Sequence, residues 1–294
     1  GSSRYWNPSI MQDGQLLQTT SKDYGPDIFS DFIVEFIEQN KTKPFFAYYP
    51  MALVHSPFPK TPDNVSPGEK TAKGKGMSLS NFKDMTLYAD KIIGKIVSCL
   101  EKNDLREKTV IIFTTDNGTH RNLTYPYKGE SRKGEKAYPT DGGTHVPLII
   151  NCPGTVPQGI ICNDLVDFSD FLPTITEITR ANLPNIQLDG QSFWPQCLGN
   201  KGNPRKWIFQ YYYPKYSPAA KLNGQGINGM EIIWAQNQFY KLYQNGKLYS
   251  TKDRHEQHHI KAGENNHADR IRELLQTAID SMPKKAVKLD VKKN

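Results

Sequence analysis

No apolar run among the 294 residues approaches the roughly 18–20 needed to cross a bilayer, which excludes a helical membrane span. The start, Gly1-Ser2-Ser3-Arg4-Tyr5-Trp6, has no apolar core segment of the kind a secretory leader carries. Cysteine is scarce. Cys99, Cys152, Cys162 and Cys197 show neither a CxxC pair nor a zinc-ligand spacing. That leaves a Cys152–Cys162 bridge or buried free thiols. Strong charge asymmetry is also missing. The 37 basic and 30 acidic residues give +7, and the tail after Ser281 holds five lysines against one aspartate, so the rest is close to balanced. Basic and aromatic residues do not interleave on any periodic face, which argues against a nucleic-acid surface. Anionic substrates remain compatible with this charge. The length suits one large domain, or one medium and one small.

The most informative stretch present is Thr109-Val110-Ile111-Ile112-Phe113-Thr114-Thr115-Asp116-Asn117-Gly118. Its first part reads as a buried strand of a parallel sheet. It ends in an acid, an amide and a glycine. Ligands of open α/β sheets gather at the carboxyl ends of strands. There Asp116 and Asn117 offer two hard oxygen ligands suited to Ca²⁺ or Mg²⁺. The alternative is a plain Asp-Asn-Gly turn.

Upstream, Pro26 opens a helix with Ile28, Phe29, Phe32, Ile33, Phe36 and Ile37 on one face, closed by Asn40 and Pro44. Residues 44–50 predict a strand, aromatic on both faces and therefore buried. His55 follows it and can serve as acid, base or ligand, or be merely structural. Residues 60–77, rich in Pro, Gly and Lys, read as a mobile loop. A core-facing helix is expected from Leu79 to Lys102. Strand, helix and strand alternate as in a doubly wound sheet.

After Gly118 comes a loop of about 25 residues holding Tyr125, Tyr127 and several basic side chains; loops this long are functional or disordered. A turn at Thr140–His145 leads into a strand, Val146–Asn151. A short helix runs from Ser169 to Thr179, with Pro173 in its first turn, and a further turn spans Leu188–Phe193. Beyond Gly199 the runs at 207–213, 229–236, 238–243 and 247–249 read as antiparallel strands, with Asn245-Gly246 as a hairpin turn. A helix, Ala268–Met282, follows. The expected architecture is α/β: a partial doubly wound, mostly parallel sheet over residues 1–198, an antiparallel sheet plus helix over 199–283, and a disordered basic tail over 284–294.

Several motifs together resemble the sulfatase family of the alkaline-phosphatase-like superfamily. Thr115-Asp116-Asn117-Gly118 is similar to its [ST]-D-N-G segment, and His55-Ser56-Pro57-Phe58 to its H-x-P-F loop. The stretch from Lys136 through Asp141-Gly142-Gly143-Thr144-His145-Val146-Pro147 is similar to its K-G-x-x-x-[ED]-G-G-x-[RH]-V-P run. Asp170-Phe171-Leu172-Pro173-Thr174, Leu188-Asp189-Gly190-Gln191-Ser192 and Asp253-Arg254-His255-Glu256 resemble its D-[IL]-x-P-T, L-D-G-x-S and D-P-x-E segments. Six motifs in family order make the match specific.

The resemblance implies Asp116 and Asn117 as Ca²⁺ ligands (Mg²⁺ being the alternative), Lys136 as a sulfate contact, and His55 as sulfate contact and leaving-group acid. His120 and His145 are secondary candidates. It implies a sulfated small molecule or glycan as substrate and a periplasmic or extracellular setting. Three departures stand out. No cysteine or serine heads the family's [CS]-x-P-S-R formylglycine motif, and the early metal aspartates and Lys/His pair are missing. Ala137 stands where the family has glycine, so Lys128-Gly129 and Lys133-Gly134 compete with Lys136. The match therefore covers the later part of a sulfatase. The nucleophile is expected in a preceding segment, and the chain alone is expected to be inactive and either oligomeric or partnered by that segment. Rival readings are a degenerate sulfated-glycan binder and a phosphatase or phosphonate hydrolase of the same superfamily.

Overall fold

The computed structural model describes residues 3–65, 78–214, 221–222 and 225–282. Most of the stretch expected to be a mobile loop, 66–77, and the basic tail lie outside the described residues. Helix α1 spans Gly25–Asn40, with Pro26 in the first turn, where its missing N–H costs nothing. Helix α2 spans Leu79–Lys102 and is capped by Ser78, whose hydroxyl accepts from the Asn81 amide at 3.2 Å. Strand β1, Ile111–Thr114, is the core of the Thr109–Gly118 stretch. A hairpin of β2, Thr124–Tyr127, and β3, Glu130–Lys133, follows. Then come a single helical turn, α3, Asp141–Thr144, and strand β4, Leu148–Asn151, which pairs with β1 in a two-stranded sheet. A 3₁₀ turn at Phe168–Asp170 leads into α4, Phe171–Thr179. The later elements that matter for the site are β5, Ile208–Tyr212; β6, Ile232–Gln236; β7, Tyr240–Tyr243; β8, Leu248–Ser250; and α5, Asn266–Ser281.

Two compact units divide the chain. The first comprises Gly1–Ile112, His120–Gly134 and Asn151–Gly154; the second comprises Phe113–Thr119, Glu135–Ile150 and Thr155–Asn294. The second therefore takes in residues on both sides of position 198.

In the first unit, α1 and α2 pack through their apolar stripes. Met85, Tyr88 and Ile92 form one cluster with Tyr5, Tyr24, Phe58 and Leu123. Ile37, Cys99 and Leu100 form another. The Tyr88 hydroxyl donates to Asp27 at 2.8 Å, tying the helices together at a half-buried polar point.

Two sequence expectations are corrected here. Residues 44–50 are extended but join no ladder, and only one face is covered. Phe45 and Tyr49 pack on the two clusters, while Phe46 and Tyr48 are 65% and 78% exposed. With no described strand beside it, the segment has nothing to cover its second face. The long loop after Gly118 is in part a hairpin, pairing Thr124 with Lys133 and Tyr127 with Glu130. Lys128 and Gly129 both adopt positive φ, +50° and +83°, the geometry of a two-residue hairpin turn. Pro126 and the polar neighbours hide the strand pattern. All four cysteines are free thiols, so no Cys152–Cys162 bridge forms; Cys99 and Cys152 are buried and Cys162 is exposed. The Cys152 thiol donates instead to the Glu107 carbonyl at 3.4 Å.

In the second unit, β8-β7-β6-β5 form one antiparallel sheet. Alternation sorts its faces. Ala235, Leu242 and Leu248 pack on Ala268, Leu275 and Ala278 of α5, whereas Trp234, Tyr243 and Tyr249 cluster on the other face. The Asn245-Gly246 turn joins β7 to β8, with the Gly246 amide donating to the Tyr243 carbonyl at 2.9 Å. Asn265 caps α5 by accepting from the His267 and Ala268 amides. Asp170, 1% exposed, receives Arg205 on both carboxylate oxygens and the Gln191 amide at 2.7 Å. The Asp170–Pro173 and Leu188–Ser192 motifs thus meet in one structural network.

Candidate active site

The site is built where β1 ends. The chain leaves the strand after Thr114 and bends at Asp116, exposed, and Asn117, half-buried. The Gly118 amide donates to the Gly143 carbonyl at 3.0 Å, pinning this bend against α3. The approach is close: a Cβ on Gly118 would stand 1.9 Å from the Gly142 carbonyl oxygen. One on Gly143 would stand 2.1 Å from the Tyr138 carbonyl oxygen. Gly142 and Gly143 both sit in the helical turn without positive φ. At Gly143 backbone fills the space a side chain would need, and at Gly142 the Arg254 and Glu135 side chains fill it.

The Lys136 amide donates to the Thr119 carbonyl at 3.0 Å, so Lys136 is bonded to the residue directly after Gly118. Among the described residues, the side chains of Asp116, Asn117 and Lys136 make no hydrogen bond or ion pair. Backbone bonds hold Lys136 and the Gly118 that follows Asp116 and Asn117, and all three polar side chains are left uncommitted.

A dense polar network surrounds Lys136. Glu135, 4% exposed, accepts from the Thr140 hydroxyl at 2.5 Å. Its carboxylate also lies 3.2 Å from His255 Nδ1 and 3.6 Å from Arg254 Nε. The Tyr212 hydroxyl donates to the Ala137 carbonyl at 3.0 Å. Lys241 Nζ donates to the Pro139 carbonyl and pairs with Glu256 at 2.8 Å, both partners almost fully buried. The Tyr243 hydroxyl donates to the second Glu256 oxygen at 2.6 Å. Burial pulls the Lys241 ammonium below its usual range, opposed by Glu256, Asp141 and Glu135. Burial raises Tyr243 strongly, helped by Glu256. His145 Nδ1 lies 3.1 Å from Asp141 at the other end of α3. Burial would raise Asp141, but that bond, with Arg254 and Lys241, holds it below the usual carboxylate range. The same bond raises His145.

His55 belongs to the first unit, and Asp116, Asn117 and Lys136 to the second. His55 is exposed in a loop, its Nδ1 2.6 Å from the Ser56 carbonyl oxygen. A carbonyl only accepts, so Nδ1 donates in this contact. The Tyr5 hydroxyl donates to the His55 carbonyl and, at 2.9 Å, to that of Ala52; burial pushes Tyr5 up to about 12. His120 packs edge-on to Phe58 with centroids 6.3 Å apart and accepts the Asn122 amide. The residues missed from sequence are Lys241, Arg254, His255 and Glu256. The Asp253–Glu256 motif was visible, but nothing in its spacing tied it to residues 135–140.

As metal ligands, Asp116 and Asn117 fit a hard cation in kind, since both offer oxygen. In number they supply two of the roughly six to eight oxygens that Ca²⁺ takes. Among the described residues, no three His, Cys, Asp or Glu side chains gather into a metal cluster.

Solved structures share this fold. Ps i-CgsB superposes with a TM-score of 0.70 at 24% identity, covering 93% of this chain and 58% of that one. A protein solved with its substrate, D-glucosamine-2-N,6-O-disulfate, gives 0.68 at 16% identity, covering 94% and 72%. The sulfatase family model matches residues 2–181, and the model for the C-terminal region of N-sulphoglucosamine sulphohydrolase matches residues 129–285. The chain belongs to the sulfatase family. It is 32% identical to human arylsulfatase A over 180 residues, 60% of this chain and 33% of that protein. It is 30% identical to the arylsulfatase of Hemicentrotus pulcherrimus over 188 residues, 63% and 32% of the two. The chain thus spans about a third of the length of these curated relatives.

Proposed function

We propose that this chain contributes the later part of the site of a sulfuric ester hydrolase. Asp116 and Asn117 hold part of the shell of a divalent cation, Ca²⁺ or Mg²⁺. Lys136 places its ammonium against a non-bridging sulfate oxygen as a point charge. His55, entering the step as the imidazolium, gives its Nε2 proton to the leaving oxygen and keeps the Nδ1 proton bonded to the Ser56 carbonyl. When bound, the cation would neutralise charge on the sulfate oxygens. The chain's own residues orient the ester and move the proton. No [CS]-x-P-S-R segment lies in this sequence, so a formylglycine nucleophile has to come from elsewhere in the protein, and the chain alone does not turn over sulfate esters.

One observation carries the reading. The Lys136 amide bonds the Thr119 carbonyl, two residues past Asn117, and the Gly118 amide bonds Gly143, so the Lys136 backbone is held beside the segment that carries Asp116 and Asn117. A sulfated sugar is the substrate class we favour. Supporting it are the relatives solved with neocarrahexaose and with D-glucosamine-2-N,6-O-disulfate. The half-exposed Tyr127 ring, with the Arg132 guanidinium 4.2 Å from its centroid, adds an aromatic and basic surface. A periplasmic or extracellular setting goes with this reading, to be tested by cell fractionation; no described helix is long and apolar enough to cross a membrane.

Calorimetric titration of the protein with CaCl₂ tests the metal assignment. Asp116→Ala and Asn117→Ala are expected to weaken binding at least about tenfold each, as for loss of a hydrogen-bonding partner to a charged group. His258→Ala should leave it unchanged. Equal affinity in all three would overturn the assignment.

A further inference from the structure

A lysine buried among aromatic rings is costly unless its charge does something an apolar side chain cannot. Lys241 lies on β7 with its ammonium 4.4 Å from the Trp234 ring centroid and 4.8 Å from that of Tyr243. Nothing in the sheet itself needs a cation there, since leucine or methionine would pack the same face. The ammonium instead leaves the sheet and donates to the carbonyl of Pro139. Its counterion, Glu256, is held on its other oxygen by Tyr243 and sits at φ +53°, a left-handed conformation that costs a glutamate energy and persists only where contacts impose it. Arg254 and His255, just before it, stand within ion-pair distance of Glu135, at 3.6 and 3.2 Å.

These contacts fall on both sides of Lys136. Glu135 is fixed by Arg254, His255 and Thr140, Ala137 by Tyr212, and Pro139 by Lys241. The Lys136 backbone is bonded to Thr119, and its side chain is uncommitted. Fixed backbone beneath a free ammonium lowers the ordering cost of meeting an anion. We propose that Lys241, acting through the Pro139 carbonyl and its ion pair with Glu256, is a positioning residue for Lys136, so that the C-terminal sheet sets the aim of the anion-binding lysine. The proposal rests on the reading of Lys136 as the sulfate contact.

The test is a double-mutant cycle read by binding of inorganic sulfate, measured by calorimetry on the protein with Lys136→Ala, Lys241→Met and the double variant. Tyr212→Phe is measured beside them, because it removes only the hydroxyl on the Ala137 carbonyl and leaves the core filled. Hydrogen exchange of the Lys136 amide is followed in each, with Leu275 in α5 as the reference for global stability. The expected result is about a tenfold loss of sulfate affinity for Lys136→Ala, a similar loss for Lys241→Met, and no further loss in the double variant. The Lys136 amide should exchange at least about tenfold faster in Lys241→Met and detectably faster in Tyr212→Phe, with the Leu275 amide unchanged. Multiplying losses would overturn the proposal, because they would make Lys241 act independently of Lys136. So would an unchanged Lys136 amide, or a Leu275 amide that accelerates in parallel, which marks general destabilisation. If Lys136→Ala itself leaves sulfate binding intact, the functional reading fails. If only Lys241→Met is silent, the positioning role alone fails.

Discussion

His145 and Asp141 show how a residue pair sets a pH window. Asp141 titrates below its ordinary 3.8, so the stability it contributes is present above that value and is lost as pH falls through its lowered pKa. His145 titrates above its ordinary 6.5, so its contribution is complete below 6.5 and is lost as pH rises through its raised pKa. The two overlap between about pH 4 and 6.5. Both side chains are largely exposed, at 75% and 40%, so the effect is small and sensitive to salt. Comparing thermal melts of the wild type with His145→Gln at low ionic strength should give a difference that peaks inside that window and shrinks in 1 M salt. A difference that grows above pH 8 would contradict the assignment.

Among elements, the contrast between the β2–β3 hairpin and the 135–140 segment is the ground on which we propose Lys136 as the lysine of the K-G motif. Lys128 and Lys133 lie on the exposed hairpin, Lys128 in its turn. Lys136 lies on the anchored segment, and Ala137 after it has φ +73°, the left-handed region where glycine is favoured. On the proposed register, the family's glycine position is kept as a backbone conformation although its residue is not. Ala137→Gly should raise stability by about 0.5–1 kcal/mol, because relief of left-handed strain exceeds glycine's added entropy in the unfolded chain. Chemical denaturation measures it, and a loss of stability would show that no strain resides there.

The sequence revealed the elements with clear periodicity. Both long helices, β1, the Asn245-Gly246 hairpin and the closing helix fall within a few residues of their expected positions. It concealed the 124–133 hairpin, whose strands carry Pro126 and few apolar residues. Asp116, Asn117 and Lys136 could be proposed from sequence because local motifs carry them. The Lys241 to Glu256 support could not, because a contact between residues 102 positions apart leaves no spacing to detect.

For the whole molecule, the extended segment 44–50 bears Phe46 and Tyr48 at 65% and 78% exposure, with no described strand pairing its backbone. Unpaired, apolar extended backbone invites another strand. Sedimentation velocity should find the isolated chain self-associating with rising concentration, and Phe46→Ser with Tyr48→Ser should shift it toward monomer. A concentration-independent monomer would remove the case for association. The central claim, that Lys136 meets the sulfate, is tested most directly by kcat/KM of the whole protein on a sulfate ester. Lys136→Ala should lower it by roughly 2–4 kcal/mol in transition-state terms, the scale of one lost preorganised donor. Lys128→Ala and Lys133→Ala should each cost less than about 1 kcal/mol. A silent Lys136→Ala beside a large loss at Lys128 or Lys133 would contradict the account.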